Sequence, residues 1–248
     1  QRQMCIRDSF LPVPTSSSLS TNDAKKIHTN IYKKIYKNIY KNIFTTDATN
    51  KATNNDRQDT MRLSNIERDQ LNPEQNAVLK SIENGPRGNG RQGIGMIGPF
   101  GVFVRSPAVG GSAQALGSAI RFNSSLAENI KEVAICTVGA HFHSKFEFAA
   151  HRRLAVQAGV DANLLDQLRD TGQATFKDKE ATAHQVAFEL INEHQITDAT
   201  YAQGVSHFRE NGMIELVATV GYYCLISLTL NAFQIPLEAD MTDPFPED

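Results

Sequence analysis

The sequence predicts an all-α protein. Between residues 62 and 235, apolar side chains recur at the spacing of amphipathic helices, and residues that cap or end helices bound these segments. No alternating strand pattern of any length accompanies them. The 248 residues, of which 40% are hydrophobic and 21% charged, are enough to bury a substantial core. This composition is typical of a globular protein and not of a disordered chain or a fibre.

The first helix is predicted over residues 73–82, with Asn72 as its N-cap and a proline at the first helical position. A loop at residues 85–101 follows and contains seven glycines. Three of these glycines match the GxGxxG pattern of dinucleotide sites, but no strand precedes them and no acidic residue follows at the required spacing. We therefore interpret the loop as a mobile segment that covers a pocket.

Seven further helices complete the predicted fold. Ser125 and Glu128 form a capping box at the start of the second of them, Gly159 ends the third, and Gly212 separates the last two. The last helix is apolar nearly all round, which predicts a place at the centre of a bundle or in a subunit interface. The predicted ranges are about 106–122, 125–138, 144–158, 161–172, 178–194, 197–211 and 213–233.

The first 60 residues differ in composition from the remainder of the chain. Residues 1–60 contain ten basic and five acidic side chains, whereas the remainder contains 15 and 22. Isoleucine occurs at residues 27, 31, 35, 39 and 43, with lysines between. One interpretation is a basic amphipathic helix for a membrane or for targeting. We favour the other, a low-complexity basic extension that is disordered, followed by one folded domain of residues 61–248.

The composition also argues against several classes of function. Three cysteines without a CxxC pair form neither a disulfide scaffold, nor a cysteine zinc site, nor a dithiol redox couple. No run of 18 apolar residues predicts a membrane span, and the acidic domain has no basic stripe for nucleic acid. We expect no cofactor, no membrane or nucleic-acid partner, and a cytoplasmic location. An organelle presequence within residues 1–60 is the open alternative.

The densest group of titratable side chains is formed by His141, His143, Glu147 and His151. The last three are spaced by four and would form one stripe on a helix. An imidazole beside a carboxylate suits general acid/base chemistry, because the carboxylate holds its tautomer and tunes its pKa. We expect no metal, since HExxH is missing and positions eight residues apart are about 12 Å apart along a helix. A solvated helix face with salt bridges is the third interpretation.

Glu132 is a candidate partner for this group. On an unbroken helix it would be about 22 Å from Glu147. A turn at residues 139–143 would instead pack two helices antiparallel and bring Glu132 to Glu147 and His151 in one cleft. Two close carboxylates push the pKa of one of them upwards, which suits a proton donor at neutral pH. The alternative is an ordinary exposed helix glutamate.

Eight short motifs follow one another in the domain. They are GPFG at 98–101, SP at 106–107, ALG at 115–117, RFNSSL at 121–126, EVAI at 132–135, FEFAAH at 146–151, GYY at 221–223 and LNAF at 230–233. As an ordered set over about residues 62–235, they resemble the carboxymuconolactone decarboxylase superfamily. This resemblance implies an alkylhydroperoxidase D-like helical bundle that forms homo-oligomers. It implies either loss of CO2 from a lactone acid or a peroxidase activity.

The peroxidase branch of the superfamily uses a glutamate, a CxxC pair and a histidine. The resemblance places the glutamate at Glu132 and the histidine at His151, but it places the two thiols at Ser144 and Glu147. Serine forms neither a sulfenic acid nor a disulfide, so that thiol cycle cannot run. Membership of the superfamily would therefore suggest a peroxiredoxin activity that the residues do not support.

The lead hypothesis is a decarboxylase-like lyase that performs acid/base chemistry on a small organic acid or lactone. Its catalytic residues would be Glu132, Glu147 and His151, and its partners would be a small-molecule substrate and further copies of the chain. One alternative is an antioxidant protein of the alkylhydroperoxidase or peroxiredoxin type. Another is an oligomeric binding protein without catalysis. The candidate substrate-binding residues are His141, His143, Arg121 and Tyr222.

Overall fold

The computed structural model describes residues 61–246, and the predicted extension at residues 1–60 lies outside them. The described residues form eight α-helices and no strand, which confirms the all-α class. In chain order the helices are α1 Pro73–Asn84, α2 Pro99–Arg105, α3 Pro107–Phe122, α4 Glu128–His141, α5 Lys145–Gln157, α6 Ala162–Thr171, α7 Asp178–Asn192 and α8 Asp198–Phe233. Two 3-10 turns accompany them, Arg68–Gln70 and Ile94–Met96.

Helix α4 lies at the centre of the fold. Every residue from 130 to 140 is buried, and α5, α7 and α8 pack around the helix. Most of this surface is aliphatic, but it includes the charged side chains of Lys131 and Glu132. A charge buried this deeply requires a partner, because its loss of hydration is not otherwise offset. The central helix therefore brings a polar network into the core.

The turn between α4 and α5 returns the chain along its own path, as predicted. Helix α4 ends at His141, and His143 has a φ of 46°, in the left-handed region. A Cβ at Gly139 would lie 3.4 Å from the backbone of Phe148, so the two helices approach closely there. In this antiparallel pair, residues ten positions before the turn face residues ten positions after it.

Helix α8 is kinked close to the point where the sequence predicts a break. Two helical segments meet at Arg209, whose φ of 59° and ψ of 173° are non-helical, three residues before the predicted stop at Gly212. A Cβ at Gly212 would lie 2.7 Å from the Phe208 side chain and 3.3 Å from that of Leu126. The glycine therefore permits close packing and does not end the helix.

One face of α8 covers the core and the other is exposed. Leu216, Val220 and Ile226 are among its buried side chains. Within residues 61–246, α8 is the one helix that is long and apolar enough to cross a membrane, but half of its most apolar segment is buried inside the protein. Core helices of globular proteins can have the same length and apolar character, so these two properties alone do not indicate a membrane span. The large apolar side chains on its exposed face are Ile214, Val217, Leu225 and Leu228.

Helix caps follow the sequence where they depend on neighbouring residues. Asn72 accepts a hydrogen bond from the Gln75 N–H at 2.9 Å, and Asp161 accepts one from the Asn163 N–H. The predicted capping box of Ser125 and Glu128 is wrong. The N-cap of α4 is Ala127, which makes no side-chain cap hydrogen bond. Ser125 instead donates from its N–H and hydroxyl to Glu215, on α8.

Candidate active site

Glu132 is the centre of a buried ion-pair network. Its side chain is fully buried in the middle of α4. Oε1 pairs with Nη1 of Arg121, and Oε2 lies 2.6 Å from Nδ1 of His151, on α5. The antiparallel turn thus brings Glu132 and His151 together, as the sequence predicts. Because both carboxylate oxygens have a fixed partner, Glu132 holds the His151 ring in one orientation.

Arg121 supports the network from behind. It lies at the end of α3, its side chain is fully buried, and its Nη2 pairs with Glu128. Lys131 lies 3.0 Å from Glu128 and donates to the backbone carbonyl of Arg121 at 2.9 Å. Arg121 is not among the residues that line the cavity described below. Its Nη1 and Nη2 pair with the buried Glu132 and the partly exposed Glu128, and its predicted contact with substrate stays a prediction.

The second nitrogen of His151 faces Glu147. Nε2 lies 3.0 Å from Glu147 Oε1, one turn earlier on α5. The two groups are poorly aligned, and within the described residues Glu147 Oε1 makes no hydrogen bond. The Tyr223 ring packs edge-on against the imidazole with 4.9 Å between the ring centroids. The imidazole is therefore held by contacts on three sides.

The charges of the network shift the pKa values of its members in opposite directions. Burial alone would raise the pKa of Glu132, but Arg121 and His151 outweigh burial and lower it to about 2. Burial alone would lower the pKa of His151, but attraction to Glu132 and Glu147 raises it to about 10. At neutral pH His151 is therefore an imidazolium that donates its Nδ1 proton to the Glu132 carboxylate.

A cavity of about 50 Å³ lies against this pair. A water molecule needs about 10–15 Å³ on the same measure, so the cavity accepts a molecule of a few heavy atoms. Three parts of the chain form its walls: the glycine-rich loop, the first half of α5 and the C-terminal half of α8. The main lining residues are Arg87, Ile94, Ile97, Phe100, Phe146, Glu147, His151, Tyr222, Tyr223 and Ile226.

The structure places the predicted site residues in three groups. Glu147, His151 and Tyr222 line the cavity, while Glu132 lies directly behind His151. His141 and His143 are not among the lining residues, and their predicted substrate-binding role stays a prediction. The spacing of four fails for His143 because it precedes α5 in a left-handed conformation and packs against Phe245, with 5.0 Å between ring centroids. His141 is exposed at the end of α4.

Arg87 is a cavity residue that the sequence does not reveal. It belongs to the glycine-rich loop, is 8% exposed, and lies with its guanidinium carbon 4.7 Å from the centroid of the Phe100 ring. No helical period places a residue of an irregular loop on a known face. The one available signal is an arginine between Pro86 and Gly88, in a loop interpreted as the cover of a pocket.

The loop is anchored at its middle by a buried carboxylate. Glu83, at the end of α1, accepts a hydrogen bond from the Gly93 N–H at 2.6 Å. It also accepts hydrogen bonds from Nη1 and Nη2 of Arg68 at 2.6 and 2.7 Å. Burial would raise the pKa of Glu83, but Arg68 and the Gly93 N–H bring it below its usual value. The loop thus covers the cavity as predicted, and its mobility stays a prediction.

Neither described cysteine belongs to the site. Cys136 is fully buried, and burial together with Glu132 and Glu147 raises the pKa of its thiol well above the usual value. Cys224 is half-buried, and burial raises its pKa as well. Ser144, at one of the two positions that the resemblance gives to thiols, is fully buried and outside the cavity lining. Among residues 61–246, no three His, Cys, Asp or Glu side chains are grouped to hold a metal.

The fold and the buried carboxylate–imidazole pair define an all-α bundle with a polar site at its centre. Two solved structures of the debrominase Bmp8 are similar to it. The apo form aligns with a TM-score of 0.54 and 13% identity, covering 70% of this chain and 90% of that one. A cysteine-to-alanine variant in complex with 2,3,4-tribromopyrrole aligns with a TM-score of 0.54 and 14% identity, covering 73% and 91%. At these identities the likeness shows a shared helical fold.

No protein-family model matches the chain, and no curated protein matches it.

Proposed function

We propose that the chain is an enzyme that transfers a proton to a small organic acid or lactone, in the manner of the carboxymuconolactone decarboxylases. One observation carries this proposal: Glu132 fixes Nδ1 of His151, so that Nε2 points to Glu147 beside a cavity. An imidazole oriented by a carboxylate on one nitrogen and presented to substrate on the other is a common acid/base arrangement.

His151 is the proton donor in this proposal. When a substrate carboxylate leaves as CO2, its carbon–carbon bond breaks and the electron pair stays on the substrate as a carbanion or enolate. The Nε2 proton of His151 passes to that carbon, and Glu147 lies where it can return a proton from solvent to Nε2. Glu132 keeps the imidazole charged until the anion develops, because its own pKa is about 2.

The walls of the cavity favour this chemistry. Apart from three charged side chains and the two tyrosine hydroxyls, the main lining residues are aliphatic or aromatic. A surface of this kind excludes water and strengthens the field of the charged groups.

The motifs that resemble the superfamily support the same proposal. Of the residues that they carry, Glu147 and His151 line one cavity and Glu132 lies directly behind His151, although up to 19 positions separate them. The helical fold shared with a debrominase is compatible with this relationship. A thiol mechanism is less favoured, because neither Cys136 nor Cys224 lines the cavity.

The proposal is tested by proton exchange in D2O, which detects proton transfer to carbon even where a compound does not complete the full reaction. A panel of small lactone acids and unsaturated acids is incubated with the enzyme, and NMR measures deuterium uptake and CO2 release. His151→Ala is expected to lower the rate by about 100-fold or more, the usual contribution of a positioned acid. Glu147→Gln is expected to lower it less, because Nε2 keeps its proton.

His141→Ala is the matched control, since this histidine is exposed and outside the cavity lining. Its rate should equal that of the wild type. Equal rates for wild type and His151→Ala would contradict the proposal.

We also propose that copies of the chain associate through the exposed face of α8. Ile214, Val217, Leu225 and Leu228 are 42–69% exposed there, and isolated proteins seldom present so many large apolar side chains on one helix face. The homo-oligomers that the resemblance implies would cover this surface.

A further inference from the structure

We propose that Arg87 binds a carboxylate of the substrate and selects small, largely apolar organic anions for the cavity. This inference rests on the proposed function, because it concerns the same cavity. It is tested by binding alone, so its failure is distinguishable from a failure of the catalytic proposal.

The position of Arg87 fits an anchoring role. Its side chain is mostly buried, and the guanidinium lies over the Phe100 ring at 4.7 Å, with Phe122 at 5.7 Å. Cation–π contacts of this kind fix the plane of an arginine that would otherwise sample many rotamers. The positive charge therefore has a defined place in the cavity wall, at the side that the glycine-rich loop provides.

The charge of Arg87 reaches across the cavity. Tyr223, on the α8 wall, has a hydroxyl pKa that burial raises well above its usual value, and the positive charges of Arg121 and Arg87 act in the opposite direction. Tyr223 is also in edge-on contact with His151. Arg87 therefore lies close enough to Tyr223, which contacts the proton donor, for its charge to act on the hydroxyl.

The distribution of charge orients an anionic ligand. The positive charge of His151 is matched by Glu132 and Glu147, and these two carboxylates repel an anion from that end of the cavity. Arg87 is the other positively charged side chain of the cavity lining, and it attracts the anion. A guanidinium matches a carboxylate with two parallel hydrogen bonds, which favours this anion over a single-atom ion. The carbon that accepts the proton then lies towards Nε2 of His151.

The remainder of the lining determines what the carboxylate is attached to. Ile94, Ile97, Phe146 and Ile226 present hydrocarbon surface to the same cavity as Arg87 and His151. A chain or ring with hydroxyl groups would lose hydrogen bonds to water there without replacement. The ligand class is therefore a short hydrocarbon acid with few polar groups beyond its carboxylate.

Crotonate and crotonamide form a matched pair of probes, because they have nearly the same shape and differ in charge. Titration calorimetry on the full chain measures both affinities. The wild type is expected to bind crotonate at least about tenfold more tightly than crotonamide, as a charged hydrogen-bonded pair provides. Arg87→Met keeps the length and the contact with Phe100 but removes the charge, and should abolish this preference.

Arg87→Lys is the second variant, and it retains the charge without the two-pronged geometry. It should weaken crotonate several-fold and leave crotonamide unchanged. His151→Ala should retain the preference for crotonate even where turnover is lost. Equal affinities for the two probes in the wild type, no binding of either probe to it, or an unchanged preference in Arg87→Met would each overturn the inference.

Discussion

Replacing Glu132 by glutamine is expected to remove most of the dependence of stability on pH above neutrality. In the folded protein His151 has a pKa of about 10, against an ordinary value of 6.5. Because the folded pKa is the higher one, the stabilisation is complete below pH 6.5 and is lost as pH rises through 10. At about 1.4 kcal/mol per pH unit, the difference between the two pKa values corresponds to a stabilisation of the folded protein by about 5 kcal/mol.

Glutamine keeps the size of the side chain and an oxygen that accepts the Nδ1 proton, but it removes the charge. Glu147 is then the one carboxylate beside His151. The pKa of His151 therefore falls towards its ordinary value, and stability changes with pH over a narrower range. Arg121 keeps its ion pair with Glu128 in this variant. The loss in the free energy of unfolding near pH 6.5 should be about 3–5 kcal/mol, the usual cost of breaking a buried ion pair.

The acid side of the profile has the opposite sign. The pKa of Glu132 is lowered from 4.5 to about 2, so its stabilisation is present above pH 4.5 and is lost as pH falls through 2. This is the same interaction with His151 and Arg121 seen from the carboxylate, and its energy is not added to that of the imidazole.

Urea unfolding at a series of pH values between 6.5 and 10 measures the effect. Asp166→Asn is the control, because it breaks a partly exposed pair with Arg152 and should cost about 1 kcal/mol or less at every pH. NMR titration of His151 in the wild type should place its midpoint far above that of a free histidine. The reasoning is refuted if the wild type and Glu132→Gln lose stability with the same slope.

Three further predictions concern other parts of the chain. Replacing both Cys136 and Cys224 by alanine should leave turnover within a few-fold, whereas a loss as large as that of a catalytic variant would point to thiol chemistry. Leu228→Glu, at a position 53% exposed, should leave the melting temperature nearly unchanged and reduce the mass measured by light scattering. Val156→Glu, at a 40% exposed position on α5, should not reduce it, and a wild type that is already monomeric at micromolar concentration contradicts this prediction. A chain beginning at Met61 should keep its melting temperature and its assembly, and a decrease of several degrees would show that the extension contributes to the fold.

The sequence predicts those features of the fold that depend on near neighbours. The cap at Asn72 acts three residues away, and the cap at Asp161 acts two residues away. The meeting of Glu132 and His151 is also predictable, because one short turn relates the two helices. A short turn leaves few alternative ways for the two helices to pack against each other.

Features that depend on distant contacts are not predictable in this way. Ser125 has the right spacing for a capping box, but Glu215 lies close to it in space and attracts its donors from 90 residues away. His143 has helical spacing, yet the backbone turns at this residue and directs it elsewhere. The place of Arg87 depends on how Glu83 anchors an irregular loop. Spacing in the sequence carries no information on these three outcomes.

The immobilised ring of His151 has a stereochemical consequence. Glu132 and Tyr223 hold the imidazole so that Nε2 is presented from the α5 wall of the cavity. The glycine-rich loop forms another wall, and the described residues of that wall carry no such proton donor at the same place. In the proposed reaction, a planar enolate would offer two faces to an attacking proton, and the face turned towards α5 would be the one within reach of Nε2. Turnover in D2O should therefore place the isotope on one face and give a single enantiomer of the labelled product.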